Sequence, residues 1–142
     1  MTISIAALSD TDMLIGSEFV AGTETPETVL NPKTEETLIE LPEASPDQID
    51  AAVSAADNAF RTWSRTTPAE RSYLLLKLAD RIEQEAEAFA TLESLNCGKP
   101  RHAVLNDEIP GVVDCFRFFA GAARTQHGMV AGEYMAGHTS MI

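Results

Sequence analysis

The sequence has few cysteines, few basic residues and no long apolar run, and each shortage disfavours a class of protein. Its 142 residues include only two cysteines, too few for a disulfide framework. Ten lysines and arginines stand against 22 aspartates and glutamates, which gives a formal net charge of -12. The basic residues are scattered, so nucleic-acid binding is disfavoured. No uncharged apolar run approaches the roughly 20 residues that a membrane-spanning helix needs.

The amino terminus also lacks the basic start of a secretory signal. We therefore expect a cytoplasmic protein in which both cysteines are reduced thiols. Cys97 and Cys115 are expected to be buried, small apolar side chains rather than nucleophiles. Cys97 follows a helix, whose dipole disfavours a thiolate there, although Lys99 acts in the opposite direction.

The first third of the chain has β-forming character. Residues 1–13 are expected to form a flexible leader. Residues 14–42 hold short β-compatible runs, separated by turn-forming residues at 22–27 and 31–34. This pattern predicts a small β-hairpin or a three-stranded piece.

Three helices are predicted after the β element. Ser45-Pro46-Asp47-Gln48 is a capping box with proline at the first helical position, and it predicts a helix over 46–63. Thr67-Pro68-Ala69-Glu70 repeats the signature and predicts one longer helix, which Gly98 and Pro100 end. A third helix is expected from about 101 to 126, with Pro110 at a start or a kink. The faces expected to form the core are Ile49, Val53, Ala56, Phe60 and Trp63; Leu74, Leu75, Leu78, Ile82, Phe89, Leu92 and Leu95; and Val113, Phe116, Phe119 and Ala120.

The last residues, 129–142, are predicted to form an extended hairpin with strands at 130–135 and 138–142. A terminal strand leaves an edge that needs a partner. This pattern suggests a piece of a longer protein.

The sequence carries none of the common motifs for binding phosphate, a dinucleotide or zinc. Gly98-Lys99 is not a phosphate-binding loop, because Pro100 stands where serine or threonine is required. No Gly-x-Gly-x-x-Gly motif for a dinucleotide occurs. His102, His127 and His138 lack the spacing of a zinc site.

Asp107 and Glu108 are the candidate binding residues, because these two adjacent carboxylates come just before Pro110. Two explanations remain open. The acids can simply favour a first helical turn or a solvated face, or they can anchor a cation such as a substrate ammonium group.

Several segments in order resemble the NAD(P)-dependent aldehyde dehydrogenase superfamily: 15–20, 30–35, 49–63, 67–71 and 92–100. Among them, Leu30-Asn31-Pro32 matches an Asn-Pro turn of the family, and Gly98-Lys99-Pro100 matches its Gly-Lys-Pro turn. The resemblance implies an α/β parent fold, in which this chain is a small β-hairpin element followed by three helices and a terminal extended hairpin. Residues 14–128 would be the amino-terminal part of the NAD-binding domain, and 129–142 the start of the oligomerisation strands of a homo-oligomer, a homotetramer.

A closer resemblance is to gamma-aminobutyraldehyde dehydrogenases, through residues 96–100, 106–110, 116–124 and 131–142. It implies oxidation of 4-aminobutanal to 4-aminobutanoate, a step in putrescine degradation, with hydride passing to NAD. It also implies that the catalytic cysteine, glutamate and asparagine and the NAD-binding strands lie later in the family's chain. We therefore expect residues 1–142 alone to be inactive, to bind NAD negligibly and to self-associate or dissolve poorly.

The resemblance implies two sites within the chain. Plant aminoaldehyde dehydrogenases place acids near the substrate tunnel, and Asp107 matches one of them, with Glu108 adjacent. Some relatives bind a monovalent cation through backbone carbonyls at the positions of Leu30 and Asn96. Two alternatives remain: a non-catalytic interaction module derived from the enzyme, and a relative acting on another aldehyde such as betaine aldehyde or a semialdehyde.

Overall fold

The computed structural model describes residues 11–125, 132–135 and 137–140. Contacts divide the chain into two compact units. The residues up to Ser64, together with Thr91–Pro100, form the first unit, and Arg65–Ala90 with the residues from Arg101 onward form the second.

The first unit holds two separate β-hairpins rather than the single hairpin or three-stranded piece that the sequence predicted. Strand β1 (Met13–Ile15) pairs antiparallel with β2 (Glu18–Val20), and β3 (Pro26–Leu30) pairs antiparallel with β4 (Thr37–Pro42). β1 begins at Met13, the last residue of the predicted leader, and residues 1–10 lie outside the described part.

The segment between the hairpins runs close against the end of β4. A Cβ added at Gly22 would lie 2.2 Å from the Pro42 carbonyl oxygen, so only glycine fits there. The Glu24 amide also donates a hydrogen bond to the Glu43 carbonyl at 3.0 Å. The linker between the hairpins is thus bonded to the loop after β4 and adds no strand to either pair.

Helix α1 (Pro46–Trp63) begins and ends where the sequence predicted. The Ser45 hydroxyl accepts a hydrogen bond from the Gln48 amide, and the Gln48 side chain reaches back to Ser45. The predicted apolar face is present but not buried: Val53 is 64% exposed and Phe60 62%. The helix therefore presents an open apolar stripe.

The predicted second helix is in fact two helices, α2 (Pro68–Gln84) and α3 (Ala86–Cys97). Thr67 and Glu70 form the expected capping box of α2. Glu85 interrupts the run: its amide donates to carbonyls of α2, and its own carbonyl accepts from the Ala88 and Phe89 amides of α3. Since Glu85 is neither glycine nor proline, local sequence gave no signal for the break. α3 ends at Cys97 as predicted, with Gly98 at φ +72°.

The third helical region, in the second unit, has three parts. A short α4 (Arg101–Ala103) leads into a π-helical turn over Val104–Glu108, and α5 (Ile109–Thr125) follows. Pro110 is the second residue of α5, at a helix start as predicted.

Helix α2 packs against α5, and small residues fill the core of this unit. Ala79 and Ala120 are 0% and 1% exposed, whereas Phe119 of the predicted face is 56% exposed. An ion-pair cluster joins the same two helices: the Arg117 guanidinium lies 2.9 Å from Asp80 and 2.7 Å from Glu83.

Both cysteines are exposed, so the prediction that they are buried is wrong. Val113 and Ala120 are the buried residues of α5 and lie two turns apart on one face. Cys115 is two residues beyond Val113, about 200° around the helix. Cys97 is the last residue of α3, where the chain turns away.

The predicted terminal hairpin is confirmed in part. β5 (Gly132–Met135) pairs antiparallel with β6 (His138–Ser140), whereas residues 126–131, 136, 141 and 142 lie outside the described part. Within the described residues, no helix combines the length and the apolarity that crossing a membrane requires.

Candidate functional site

The predicted acidic pair lies on the π-helical turn of the second unit. The Ile109 amide donates to the Val104 carbonyl five residues earlier, which is the π-helical register. In the same turn, the Asn106 side-chain amide donates to the His102 carbonyl at 2.8 Å. Such turns occur frequently at functional sites in helices.

Asp107 and Glu108 are both exposed on this turn. In the part of the chain that the structure describes, no ion pair or hydrogen bond engages the Asp107 carboxylate. An exposed carboxylate without a partner can accept hydrogen bonds from a cationic group. The arrangement can therefore hold an ammonium group at the start of α5.

The two carbonyls predicted to hold a monovalent cation belong to the first unit. Leu30 ends β3 next to a register irregularity in its pairing with β4. The Asn96 carbonyl lies in the last turn of α3, and its usual partner four residues later is Pro100, which has no amide hydrogen. This carbonyl lies at the negative end of the α3 dipole, an arrangement that favours a cation.

Gly98 lies where the turn that follows Leu30 meets the end of α3 that carries Asn96. A Cβ on Gly98 would lie 3.0 Å from the Pro32 ring carbon Cγ, so the Asn-Pro turn after β3 packs on the end of α3. Neutral backbone oxygens are the kind of donor that hard cations take in proteins, so these two carbonyls have the donor chemistry of the predicted cation site.

Sequence reasoning missed an ion pair beside this site. The Lys99 ammonium lies 2.9 Å from the Glu93 carboxylate, and this contact, ahead of a hydrogen bond with Cys97, lowers the pKa of Glu93. The signal was available, because a lysine just beyond a helix end commonly reaches back over its last turn.

The described residues form neither a side-chain metal site nor a dinucleotide site. In residues 11–125, 132–135 and 137–140, no group of three or more His, Cys, Asp or Glu side chains is arranged to hold a metal ion. Dinucleotides bind at the carboxyl ends of parallel strands, whereas the described sheets are antiparallel pairs. The described residues therefore do not by themselves fit an NAD site.

Comparison with known proteins identifies the family. The model of the aldehyde dehydrogenase family matches residues 19–142. The chain is 42% identical over 118 residues to an acetaldehyde dehydrogenase of Pseudomonas aeruginosa, covering 82% of this chain and 23% of that protein. It is 44% identical over 112 residues to retinal dehydrogenase 2 of Homo sapiens, covering 75% of this chain and 22% of that protein.

A solved structure agrees. The NAD+ complex of an aldehyde dehydrogenase from Bacillus cereus superposes with a TM-score of 0.79 at 36% identity, covering 93% of this chain and 27% of that one. The chain belongs to the aldehyde dehydrogenase family. It spans about a quarter of the length of the relatives it matches.

Proposed function

We propose that the whole protein oxidises 4-aminobutanal to 4-aminobutanoate with NAD as hydride acceptor. Family membership supports aldehyde oxidation, and an NAD+ complex of a relative supports the cofactor. The observation that carries the amino-aldehyde is the exposed Asp107 carboxylate, which has no ion-pair or hydrogen-bond partner among the described residues and lies beside Glu108 on the π-helical turn. We assign no bond-making step to this chain, and the role of the pair is to hold the substrate ammonium.

The test compares 4-aminobutanal with butanal, which lacks only the amine. In the full-length protein we expect Asp107→Asn to lower kcat/KM for 4-aminobutanal roughly tenfold or more, the scale of a charge-assisted hydrogen bond, and to leave butanal nearly unchanged. Asp114→Asn removes the same charge from an exposed position on α5 and is the matched control.

Two results would contradict the role of Asp107: equal losses for both aldehydes, or an equal loss in Asp114→Asn. Betaine aldehyde is the third substrate, because it keeps the charge but has no N–H to donate. A preference for betaine aldehyde over 4-aminobutanal would favour the alternative that the protein is a betaine aldehyde dehydrogenase.

We further propose that a monovalent cation binds the Leu30 and Asn96 carbonyls. The supporting observations are the missing amide at Pro100 and the packing of Pro32 on Gly98. When bound, the ion would neutralise the negative end of α3 and hold it against the turn after β3. A cation-specific rise in Tm, measured at constant ionic strength, tests this site.

The open apolar stripe of α1 supports a further part of the proposal. Ile49, Val53, Phe60 and Trp63 are 46–64% exposed, and a stripe of this kind marks a contact surface. We propose that residues 14–128 belong to the NAD-binding domain of a cytoplasmic homo-oligomer, with 129–142 opening its oligomerisation strands. The alternative, a non-catalytic interaction module, uses the same stripe. Absence of aldehyde oxidation by the full-length protein would favour that alternative.

A further inference from the structure

Two buried valines explain why the helical segment 101–125 contains a π-turn. Val104 and Val113 are 1% and 3% exposed. Nine residues of regular α-helix turn through about 900°, which would place these two side chains on opposite faces. The π-helical turn over Val104–Glu108 absorbs one residue, and the other eight steps leave the valines only about 80° apart. The π-turn thus lets both valines lie on the buried side of the segment.

Burial of the valines does not determine where between residues 104 and 113 the extra residue lies. Pro110 restricts its position. It has no amide hydrogen for the Asn106 carbonyl four residues earlier, and its ring would clash with that carbonyl in α-helical geometry. A five-residue register would pair the same carbonyl with Gly111, which has an amide hydrogen. Pro110 therefore favours a π-turn over the residues just before it, where the structure has it.

The Asn106 side chain ties the same turn on its amino-terminal side. Its amide donates to the His102 carbonyl at 2.8 Å, so it is bonded to the preceding turn of the segment. Asp107 follows Asn106 directly and is exposed. Asp107 therefore lies between two constraints, a side-chain hydrogen bond before it and a proline after it.

We infer that Pro110 is a positioning residue for substrate recognition, because it fixes the π-turn where Asp107 can receive the substrate ammonium. The inference rests on the proposed function and deepens its account of the amine site. Pro110 acts only through Asp107. Alanine at this position would supply the missing amide hydrogen, so the extra residue could move along the helix and displace Asp107.

The experiment measures kcat and KM of the full-length protein and its Pro110→Ala variant for 4-aminobutanal and butanal. We expect the ratio of kcat/KM for 4-aminobutanal to that for butanal to fall about three- to tenfold, up to the loss expected for Asp107→Asn. The change should come from a higher KM for 4-aminobutanal, since Asp107 binds the amine. Tm should not fall, because alanine is a better helix former than proline. A lower Tm with equal losses for both aldehydes would show a merely structural role and contradict the inference.

Two further variants complete the test. Pro68→Ala removes the proline that begins α2, where no π-turn precedes it, and should leave the ratio unchanged. Pro110→Ala added to Asp107→Asn should lower the ratio no further, because the residue that it positions is already gone. The inference is wrong if Pro110→Ala leaves the ratio unchanged, or if its effect persists in the double variant. If Asp107→Asn alone leaves the ratio unchanged, the proposed amine site is itself wrong and the inference falls with it.

Discussion

Pro32 packs against Gly98 so closely that a Cβ on residue 98 would lie 3.0 Å from its ring carbon Cγ. Gly98 also has φ +72°, so it is glycine for two independent reasons, a left-handed backbone and a close neighbour. The contact fixes the turn after β3 on the end of α3, which is where the two candidate carbonyls lie.

Replacing Gly98 with alanine should therefore destabilise the protein. We expect a loss of about 1–2 kcal/mol from the left-handed backbone alone, and more if Pro32 cannot move. Gly111→Ala is the control, because a Cβ there meets nothing within 4 Å, and alanine in a helix is about 0.5–1 kcal/mol more favourable than glycine. Urea unfolding should give opposite signs for the two variants, and equal signs would contradict this account of Gly98.

The capping box of α2 should make the protein sensitive to acid. The Glu70 carboxylate accepts hydrogen bonds from the Thr67 amide at 2.7 Å and its hydroxyl at 2.9 Å, and these lower the pKa of Glu70 below its ordinary 4.5. Because the folded-state pKa is the lower one, this stabilisation is complete above the unfolded-state pKa and is lost as the pH falls through the folded-state value. We expect Glu70→Gln to flatten part of the acid dependence of the unfolding free energy.

The capping box of α1 provides the comparison, because the neutral Gln48 stands there in the position that Glu70 holds in the capping box of α2. Gln48→Glu should add acid sensitivity of the same sign that Glu70→Gln removes. Unfolding in urea from neutral pH to about pH 3 covers the range in which a carboxylate titrates. Parallel curves for wild type and Glu70→Gln would show that the box does not contribute.

The close packing of α2 on α5 should tolerate no larger side chain at Ala79, which is 0% exposed. Ala79→Leu is expected to cost about 1–3 kcal/mol through overpacking. The same substitution at Ala51, which is exposed on the side of α1 away from its apolar stripe, should change the unfolding free energy by less than about 0.5 kcal/mol. Similar effects at both positions would mean that Ala79 is not a tight contact.

The Arg117 cluster should stabilise the protein only modestly. The hydrogen bonds that Arg117 donates, first to Glu83 and then to Asp80, raise its pKa. The arginine side chain is nevertheless 41% exposed and its partners about 60%. Solvent screening reduces the value of such pairs. We expect Arg117→Met to lower Tm slightly, and added salt to shrink the difference. A large decrease that salt does not affect would contradict this reading.

Local signals predicted the elements that local chemistry determines. α1 begins at its capping box, α3 ends before Gly98, and Pro110 lies in the first turn of α5. These features depend on side chains within a few residues of the backbone groups that they satisfy. The antiparallel terminal hairpin was likewise visible from glycine spacing.

Features set by packing were not predictable in the same way. The break at Glu85 has no glycine or proline, and the π-helical turn before α5 has no sequence signature. The burial of Cys115 was misjudged because the apolar residues of α5 do not reveal which face meets α2. The Glu93–Lys99 pair was missed because its residues flank a helix end rather than lying within one periodic pattern.

Comparing substrates for the full-length wild-type protein tests the central proposal most directly. Steady-state kcat/KM for 4-aminobutanal and butanal, each with saturating NAD, isolates what the substrate ammonium contributes. We expect 4-aminobutanal to be preferred roughly tenfold or more, the scale of a charge-assisted hydrogen bond to Asp107. Equal values, or a preference for butanal, would contradict an amine-binding role for the acidic pair before α5.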